Sequence, residues 1–119
     1  MKHVIMFYET AADFEARQDP AKAEGYWGAW GAYVQALQSS GIVVNGEGLQ
    51  PPFAATTVRL KDGHRQVQDG PYADTKEQLG GFFVIDVPTI DVALEWAARA
   101  PSAPTGGVEV RPVLPPPAR

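Results

Sequence analysis

Residues 82–87, with the sequence Phe-Phe-Val-Ile-Asp-Val, form the clearest strand pattern in this chain of 119 residues. Residues 3–8, His-Val-Ile-Met-Phe-Tyr, form a second run of the same character. Successive side chains of a strand point to opposite faces of its sheet, and in both runs large apolar residues occupy both sets of positions. The two segments are therefore predicted to be strands of a sheet that is apolar on both faces.

A first helix is predicted between these two strands. Asp19 is a suitable N-cap, Pro20 suits the first helical position, and Gly41 ends the helix. Apolar residues recur along the helix at spacings of three and four, which predicts one buried face. These residues are Trp27, Trp30, Val34 and Leu37. The polar segment 10–18 before the helix is either a loop or a separate helical turn.

Turn-forming residues divide the middle of the chain. Residues 42–49 begin as a strand, and its two glycines predict a bulge or a close backbone approach. Residues 55–61 and 64–68 are predicted to be the two strands of a hairpin, because Asp-Gly at 62–63 is a strong two-residue turn signal. Residues 74–79 are predicted to form a short helical turn that ends at the Gly-Gly pair after them.

The last third of the chain predicts a helix and a strand. The helix begins after Pro88 and ends at Pro101, and the strand covers residues 108–111. The prolines that follow cannot pair regularly in a sheet. We therefore expect one domain, residues 1–113, followed by a proline-rich flexible tail, residues 114–119.

Composition excludes several classes of protein. The apolar content of 45% and charged content of 20% are typical of one globular domain. The chain has no cysteine, which excludes disulfides and thiolate catalysis. A net charge of −4 without a basic cluster argues against a nucleic-acid or anionic-membrane partner. Neither a signal peptide nor a membrane span is apparent, so a cytoplasmic protein is expected.

The order of the predicted elements indicates an α+β sandwich of the ferredoxin-like (βαββαβ) type. Two helices cover only one face of such a sheet, yet the strands at 3–8 and 82–87 are apolar on both. Each large apolar side chain left in water forgoes roughly 1.5–3 kcal/mol of burial. A second copy of the chain, packed sheet against sheet, would cover the remaining face. We therefore expect a homodimer with a barrel-like interior.

Residues 69–82, with the sequence Asp-Gly-Pro-Tyr-Ala-Asp-Thr-Lys-Glu-Gln-Leu-Gly-Gly-Phe, resemble the DGPF-type branch of the YCII-related family. Tyr72 stands where that motif has phenylalanine, and Asp74 stands where glutamate is usual. Residues 46–52 and 108–113 also resemble family signatures. The resemblance implies a ferredoxin-like fold assembled as a dimeric α/β barrel.

The resemblance implies less about chemistry. Enzyme-like members of the wider family carry a histidine on the first helix, paired with an aspartate, for acid–base or dehalogenating lyase chemistry. The first helix here, residues 20–40, contains no histidine and offers Trp30 and Tyr33 in that region. The lyase dyad is therefore not carried over. Genes of the DGPF-type branch often neighbour extracytoplasmic-function sigma factors, which implies a regulatory connection.

Two carboxylates are candidates for catalysis. Asp69 in the Asp-Gly-Pro turn is either a general base or ligand acceptor, or it caps the backbone of its own turn. Glu47 lies between two glycines on a strand predicted to be buried, where a carboxylate must be paired or protonated, and Arg59 or Arg111 is the expected partner. The alternative for Glu47 is an edge-strand position that faces water.

Six further residues are candidates for substrate binding, and two of them, Arg59 and Arg111, would offer positive charge. Lys76 would bind an anionic group and Glu77 would orient it, or both lie in a solvated turn. Trp30 and Tyr33 would stack on a planar substrate in a cleft between helix and sheet, or they belong to the helix core. The two histidines of the chain fit no common metal-binding spacing, so no metal or cofactor is expected.

Together these patterns predict a homodimer that binds a small organic ligand. Proton transfer on that ligand, with Asp69 as the base, is the expected chemistry if the protein is an enzyme. The alternative is a non-catalytic ligand sensor, or a protein-interaction module in a sigma-factor pathway.

Overall fold

The computed structural model of this protein describes residues 1–117. Within them, six strands and three α-helices follow one another along the chain. They are β1 (Lys2–Thr10), α1 (Ala11–Ala16), α2 (Ala23–Ser40), β2 (Val43–Gly48), β3 (Thr56–Lys61), β4 (His64–Asp69), β5 (Glu77–Asp86), α3 (Ile90–Ala98) and β6 (Gly107–Pro112). A short 3-10 turn, Pro52–Ala54, joins β2 to β3.

The strands form two sheets. The main sheet has four antiparallel strands in the order β2-β5-β1-β6, and β3 and β4 form a separate two-stranded sheet. The predicted α+β class is confirmed, and the strand order of the main sheet is consistent with a ferredoxin-like sandwich. The hairpin of β3 and β4 is an insertion between the second and third strands of that sandwich.

The two faces of the main sheet differ in cover. Ile5 and Phe7 of β1 are buried in one core with Tyr33 and Leu37 of α2 and with the alanine face of α3. The alternate residues of β1 and their cross-strand neighbours on β5 are only half-buried. These are Val4, Met6, Tyr8, Phe82 and Val84, and we call this surface the open face. One face of the sheet is thus packed against helices and the other is apolar without helical cover from α2 or α3.

The region before β5 corrects one prediction. Residues 74–79 do not form a helical turn, because Glu77 is the first residue of β5 and the strand runs on through both glycines. The end of β1 draws these residues into the sheet, since Thr10, Glu9 and Tyr8 pair with residues 77–79. Pairing with a strand distant in sequence overrides the local helical tendency of this short segment.

The region before α2 corrects another boundary. Segment 10–18 contains a separate helix, α1, in which Thr10 and Asp13 form a reciprocal capping box. Asp19 accepts a hydrogen bond from the Ala21 backbone N–H at 2.9 Å and so forms a turn, and α2 begins at Ala23 rather than at Pro20. Gly41, with φ of 77°, ends α2 as predicted.

The predicted hairpin is confirmed, and Gly46 shows the close backbone approach that was the alternative to a bulge at the glycines, since a Cβ there would lie 2.7 Å from the Phe82 carbonyl oxygen. Asp62 and Gly63 both have positive φ, 52° and 75°, as a tight two-residue hairpin turn requires. The pairing of β2 with β5 is irregular between Val43 and Asn45. Residues 113–117 have no regular secondary structure, and the rest of the predicted tail, residues 118–119, lies outside the described part of the chain. Within residues 1–117, no helix is long and apolar enough to cross a membrane.

Candidate functional site

A cleft of about 570 Å³ lies between α2 and the main sheet. Trp27 and Trp30 of α2 line one side, and strands β2 and β5 line the other. The strands contribute bare backbone at Gly48 and Gly81, which pair with each other. A Cβ atom at Gly48 would have no neighbour within 4 Å, so the cleft is open at this position. The result is a slot with indole rings on one side and peptide groups on the other.

A buried ion pair closes one end of the cleft. Glu9, at the end of β1, is 2% exposed, and its Oε2 accepts a hydrogen bond from Nη2 of Arg17 at 2.8 Å. The hydroxyl of Tyr26 donates to Oε1 of Glu9 and accepts from Nε of Arg17 at 2.9 Å. Both carboxylate oxygens of Glu9 are therefore engaged, and the pair carries no net charge. We call these three residues the Glu9 cluster.

Arg17 connects the Glu9 cluster to the walls of the cleft. Its guanidinium donates to the backbone carbonyls of Leu49 at 2.6 Å and Gly80 at 3.3 Å. Its own carbonyl accepts from the indole N–H of Trp27 at 3.1 Å. The guanidinium also lies 4.8 Å from the ring centre of Phe14. One side chain thus holds the strand end, the loop after β2 and the helix wall in a fixed arrangement.

Burial and hydrogen bonding keep two tyrosines of this region protonated. The pKa of Tyr26 is raised well above its ordinary value, first by burial and then by its hydrogen bond to the Glu9 carboxylate. Burial likewise raises the pKa of Tyr33. Tyr26 therefore acts as a hydrogen-bond donor near neutral pH, and its phenol is a poor candidate for a general base.

The raised pKa values of Tyr26 and Tyr33 predict that the wild type loses stability more steeply at alkaline pH than variants that lack either phenol. A phenol in the unfolded chain ionises near pH 10, whereas Tyr26 and Tyr33 stay protonated above that in the folded state, so their contribution is complete below about pH 10 and is lost as pH rises further. The free energy of unfolding, measured with urea at a series of pH values above about 10, is expected to fall less steeply with pH for Tyr26→Phe and Tyr33→Phe than for the wild type. Tyr72→Phe, at an exposed position, should keep the wild-type slope. Wild-type slopes in both buried-site variants would contradict this account.

The two aromatic residues predicted to contact a ligand have different positions in the structure. Trp30 is half-buried and lines the cleft. Tyr33 is 6% exposed, belongs to the core, and its hydroxyl donates to the carbonyl of Trp96 at 2.8 Å. The prediction that Tyr33 stacks on a ligand is therefore corrected, and the core alternative holds for this residue.

The structure places the two predicted catalytic carboxylates in different surroundings. Glu47 is exposed on β2, an edge strand. The residue lines the cleft, but its pairing with Phe82 places its side chain on the open face of the sheet. This is the water-facing alternative for Glu47 and not a buried carboxylate. Asp69 is exposed at the end of β4 and does not line the cleft. Its turn is held by other groups, since Gly70 donates its N–H to the Ala55 carbonyl at 2.8 Å.

The predicted cationic partners of Glu47 lie elsewhere. Arg111 is on β6, at the opposite edge of the main sheet from β2, and pairs with Glu109 at 2.5 Å. Arg59 is on the hairpin, with its guanidinium 4.9 Å from the ring centre of Tyr72. The expected pairing of Glu47 with either arginine within one protomer is therefore corrected.

The remaining predicted binding residues lie outside the main cleft. Lys76 lines a separate depression of about 410 Å³, together with Glu15 of α1 and Asp74. Glu77 begins β5 and pairs with Thr10. The structure brings neither residue to the Glu9 cluster.

The sequence-based candidates missed the Glu9 cluster. A signal for Glu9 was present, because Glu9 follows Ile5 and Phe7 on the buried face of one strand, where a carboxylate needs a partner. Arg17 and Tyr26 gave no such signal, since they lie on α1's C-terminal side and on α2 and reach Glu9 only through the fold.

Among residues 1–117, no group of three or more potential ligands is arranged to hold a metal ion. His64 is exposed on the hairpin, and His3 is buried in β1. Nδ1 of His3 is buried without a hydrogen-bond partner among the described residues.

Comparison with known proteins places this arrangement in a family. A family model described as "YCII-related domain" matches residues 1–116. An uncharacterized protein of Rhizobium meliloti (strain 1021) is 48% identical to the chain over 67 residues, which are 55% of this chain and 54% of the relative. The chain thus spans about half the length of this curated relative.

Proposed function

The chain belongs to the YCII-related domain family, and within that family we propose that it binds a small, planar, uncharged organic molecule in the cleft between α2 and the main sheet. The observation that carries the proposal is the slot itself, with two indoles facing bare glycine backbone. The motif at residues 69–77 supports assignment to the DGPF-type branch as a further part of the proposal.

The dimensions and chemistry of the slot support this class of ligand. Pockets for small molecules measure roughly 300–1,000 Å³ and combine aromatic walls with a few polar groups. A flat ring can stack on Trp27 or Trp30 while its other face lies on the peptide groups around Gly48. The Glu9 cluster is neutral overall and internally bonded, so it offers no free charge to an ionic ligand.

Proton transfer on the same ligand has less support, because the Glu47 side chain lies on the open face and not in the cleft. Glu47 pairs with Phe82, and Phe82 pairs with Met6, so the three side chains share that face. Glu9 is also poorly suited to be a base, since both of its oxygens already accept hydrogen bonds. Asp69 does not line the cleft and has no part in this proposal.

The proposed assembly is a homodimer that covers the open face of the main sheet. The radius of gyration is 16.2 Å, whereas a compact domain of this length has about 13.5 Å. The smallest dimension is 18 Å, as expected for one sheet with one helix layer. A second copy packed face to face would bury the apolar open face and complete a barrel.

Thermal shift measurements with uncharged bicyclic aromatic compounds, such as coumarin and quinolin-2-one, test the ligand proposal. A compound at about five times its Kd is expected to stabilise the wild type by about 1 kcal/mol. Gly48→Val should abolish the stabilisation, because the new side chain fills open space in the slot. Gly28→Ala, on α2 outside the cleft lining, should respond like the wild type.

Two outcomes would contradict the ligand proposal. Equal stabilisation of Gly48→Val and the wild type would place the bound compound elsewhere. The absence of any stabilising compound of this class would remove the planar, uncharged ligand altogether.

A further inference from the structure

The hairpin of β3 and β4 carries an uncovered apolar face. Val58 and Val67 lie directly opposite each other across the two strands and are 58% and 57% exposed. Leu60, two residues further along the same face, is 76% exposed. Every residue of β4 is exposed, and so is every residue of β3 except Thr57. The protomer itself therefore does not cover this face.

An isolated two-stranded hairpin is marginally stable in water. The hairpin also has two unpaired edges, which makes it a template for association with another chain. Exposed valines and a leucine on one face of such an element indicate that another surface covers them. The question is which surface does so.

The hairpin borders the open face of the main sheet, and this position indicates which surface covers its apolar side. A groove of about 720 Å³ is lined by Thr56 and Val58 of the hairpin and by Tyr8 and Leu79 of the main sheet. Tyr8 belongs to the open face, and Leu79 is its neighbour across the β1–β5 ladder. The apolar face of the hairpin therefore continues the open face of the main sheet. A molecule that covers the open face therefore also contacts the hairpin.

We propose that the hairpin is a dimerisation arm that lays its Val58–Val67 face on a second copy of this chain. The proposal rests on the homodimer proposed above, and it adds that the insertion, and not only the main sheet, holds the two copies together. The arm requires no third molecule, because a two-fold axis would place each arm on the opposite protomer.

Charge supports a second copy as the occupant. Three of the ten cationic residues of the chain lie in the end of the hairpin, and only one carboxylate lies there with them. These residues are Arg59, Lys61, Arg65 and Asp62. The chain as a whole has a net charge of −4, so the body of a second copy is acidic. Arg65 lies on the apolar face, opposite Leu60, whereas Arg59 and Lys61 lie on the other face of the hairpin. Glu47 lies on the open face with its partner Phe82, so the two surfaces that would meet carry opposite charges.

Sedimentation equilibrium of the full chain tests the arm. The double variant Val58→Asp/Val67→Asp is expected to weaken dimerisation by about 100-fold or more, because it places two charges in an apolar contact. The control Gln66→Asp/Gln68→Asp adds the same charge to the opposite face of β4 and should change the dimer constant less than about threefold. Far-ultraviolet circular dichroism should show folded protein in both, since both pairs of sites are exposed.

Val84→Asp, on the open face, separates the arm from the dimer as a whole. Dissociation by Val84→Asp with an unchanged dimer constant in Val58→Asp/Val67→Asp would overturn the arm and leave the sheet-to-sheet dimer standing. A monomeric wild type would overturn both. The cleft lies within a single protomer. The thermal shift response to aromatic compounds therefore tests the ligand proposal independently of the dimer and of the arm.

Discussion

Gly80→Ala is expected to lower the free energy of unfolding by about 3 kcal/mol or more. A methyl group at this position would overlap Oε2 of Glu9 and lie 2.8 Å from Cδ of the same residue. It would also lie 3.0 Å from Nη2 of Arg17. The carboxylate has no room to retreat, because it is held on both oxygens and is 2% exposed. The substitution therefore breaks a buried ion pair.

Gly48→Ala is the matched control for this prediction. Both glycines lie in strands that line the cleft, but a Cβ at Gly48 has no neighbour within 4 Å. Urea unfolding should show Gly48→Ala equal to or slightly more stable than the wild type, since alanine reduces the freedom of the unfolded chain. If Gly80→Ala unfolds with the same free energy as Gly48→Ala, the Glu9 carboxylate does not occupy the position described.

Arg17→Met is expected to lower the free energy of unfolding by about 3–5 kcal/mol, because it leaves the Glu9 carboxylate buried without its cation. It also removes the hydrogen bonds to Tyr26 and to the carbonyl of Leu49. Arg17→Lys keeps a positive charge without the planar fork and should fall between Arg17→Met and the wild type.

A double-mutant cycle isolates the ion pair. The double variant Glu9→Gln/Arg17→Met should lose at least about 1 kcal/mol less unfolding free energy than the sum of the losses in the two single variants, because it leaves no unpaired charge. Arg99→Met is the control, since its guanidinium lies 4.1 Å from the ring centre of Trp96 and the residue is exposed. The free energy of unfolding of Arg99→Met should be less than about 1 kcal/mol below that of the wild type. Additive losses at Glu9 and Arg17 would refute the coupling.

Features set by neighbouring residues were predictable from the sequence. The Asp-Gly pair at 62–63 fixed the hairpin, because both residues must adopt positive φ. Gly41 fixed the end of α2 for the same reason. The double apolar pattern of residues 82–87 correctly indicated a central strand, and β5 lies between β1 and β2. Local stereochemistry and side-chain alternation decide each of these features.

Features set by distant residues were not predictable in this way. The Glu9 cluster joins residues from β1, α2 and the segment between α1 and α2, and its arginine also reaches Leu49 and Gly80. No spacing in the sequence encodes such contacts. The same limitation explains the error at residues 74–79, whose strand conformation depends on the end of β1. Gly80 looked like the stop of a helical turn, whereas its role is to leave space for the Glu9 carboxylate.

The most direct test of the ligand-binding account uses the three tryptophans of the chain as reporters. Trp27 and Trp30 line the cleft, whereas Trp96 of α3 does not. Their indole N–H groups give three resolved signals in a ¹H–¹⁵N correlation spectrum, which can be assigned by single substitution. Titration with coumarin or quinolin-2-one is predicted to shift the signals of Trp27 and Trp30 in a saturable manner and to leave that of Trp96 in place. Shifts confined to Trp96, or no saturable shift of any indole, would contradict a ligand site in this cleft.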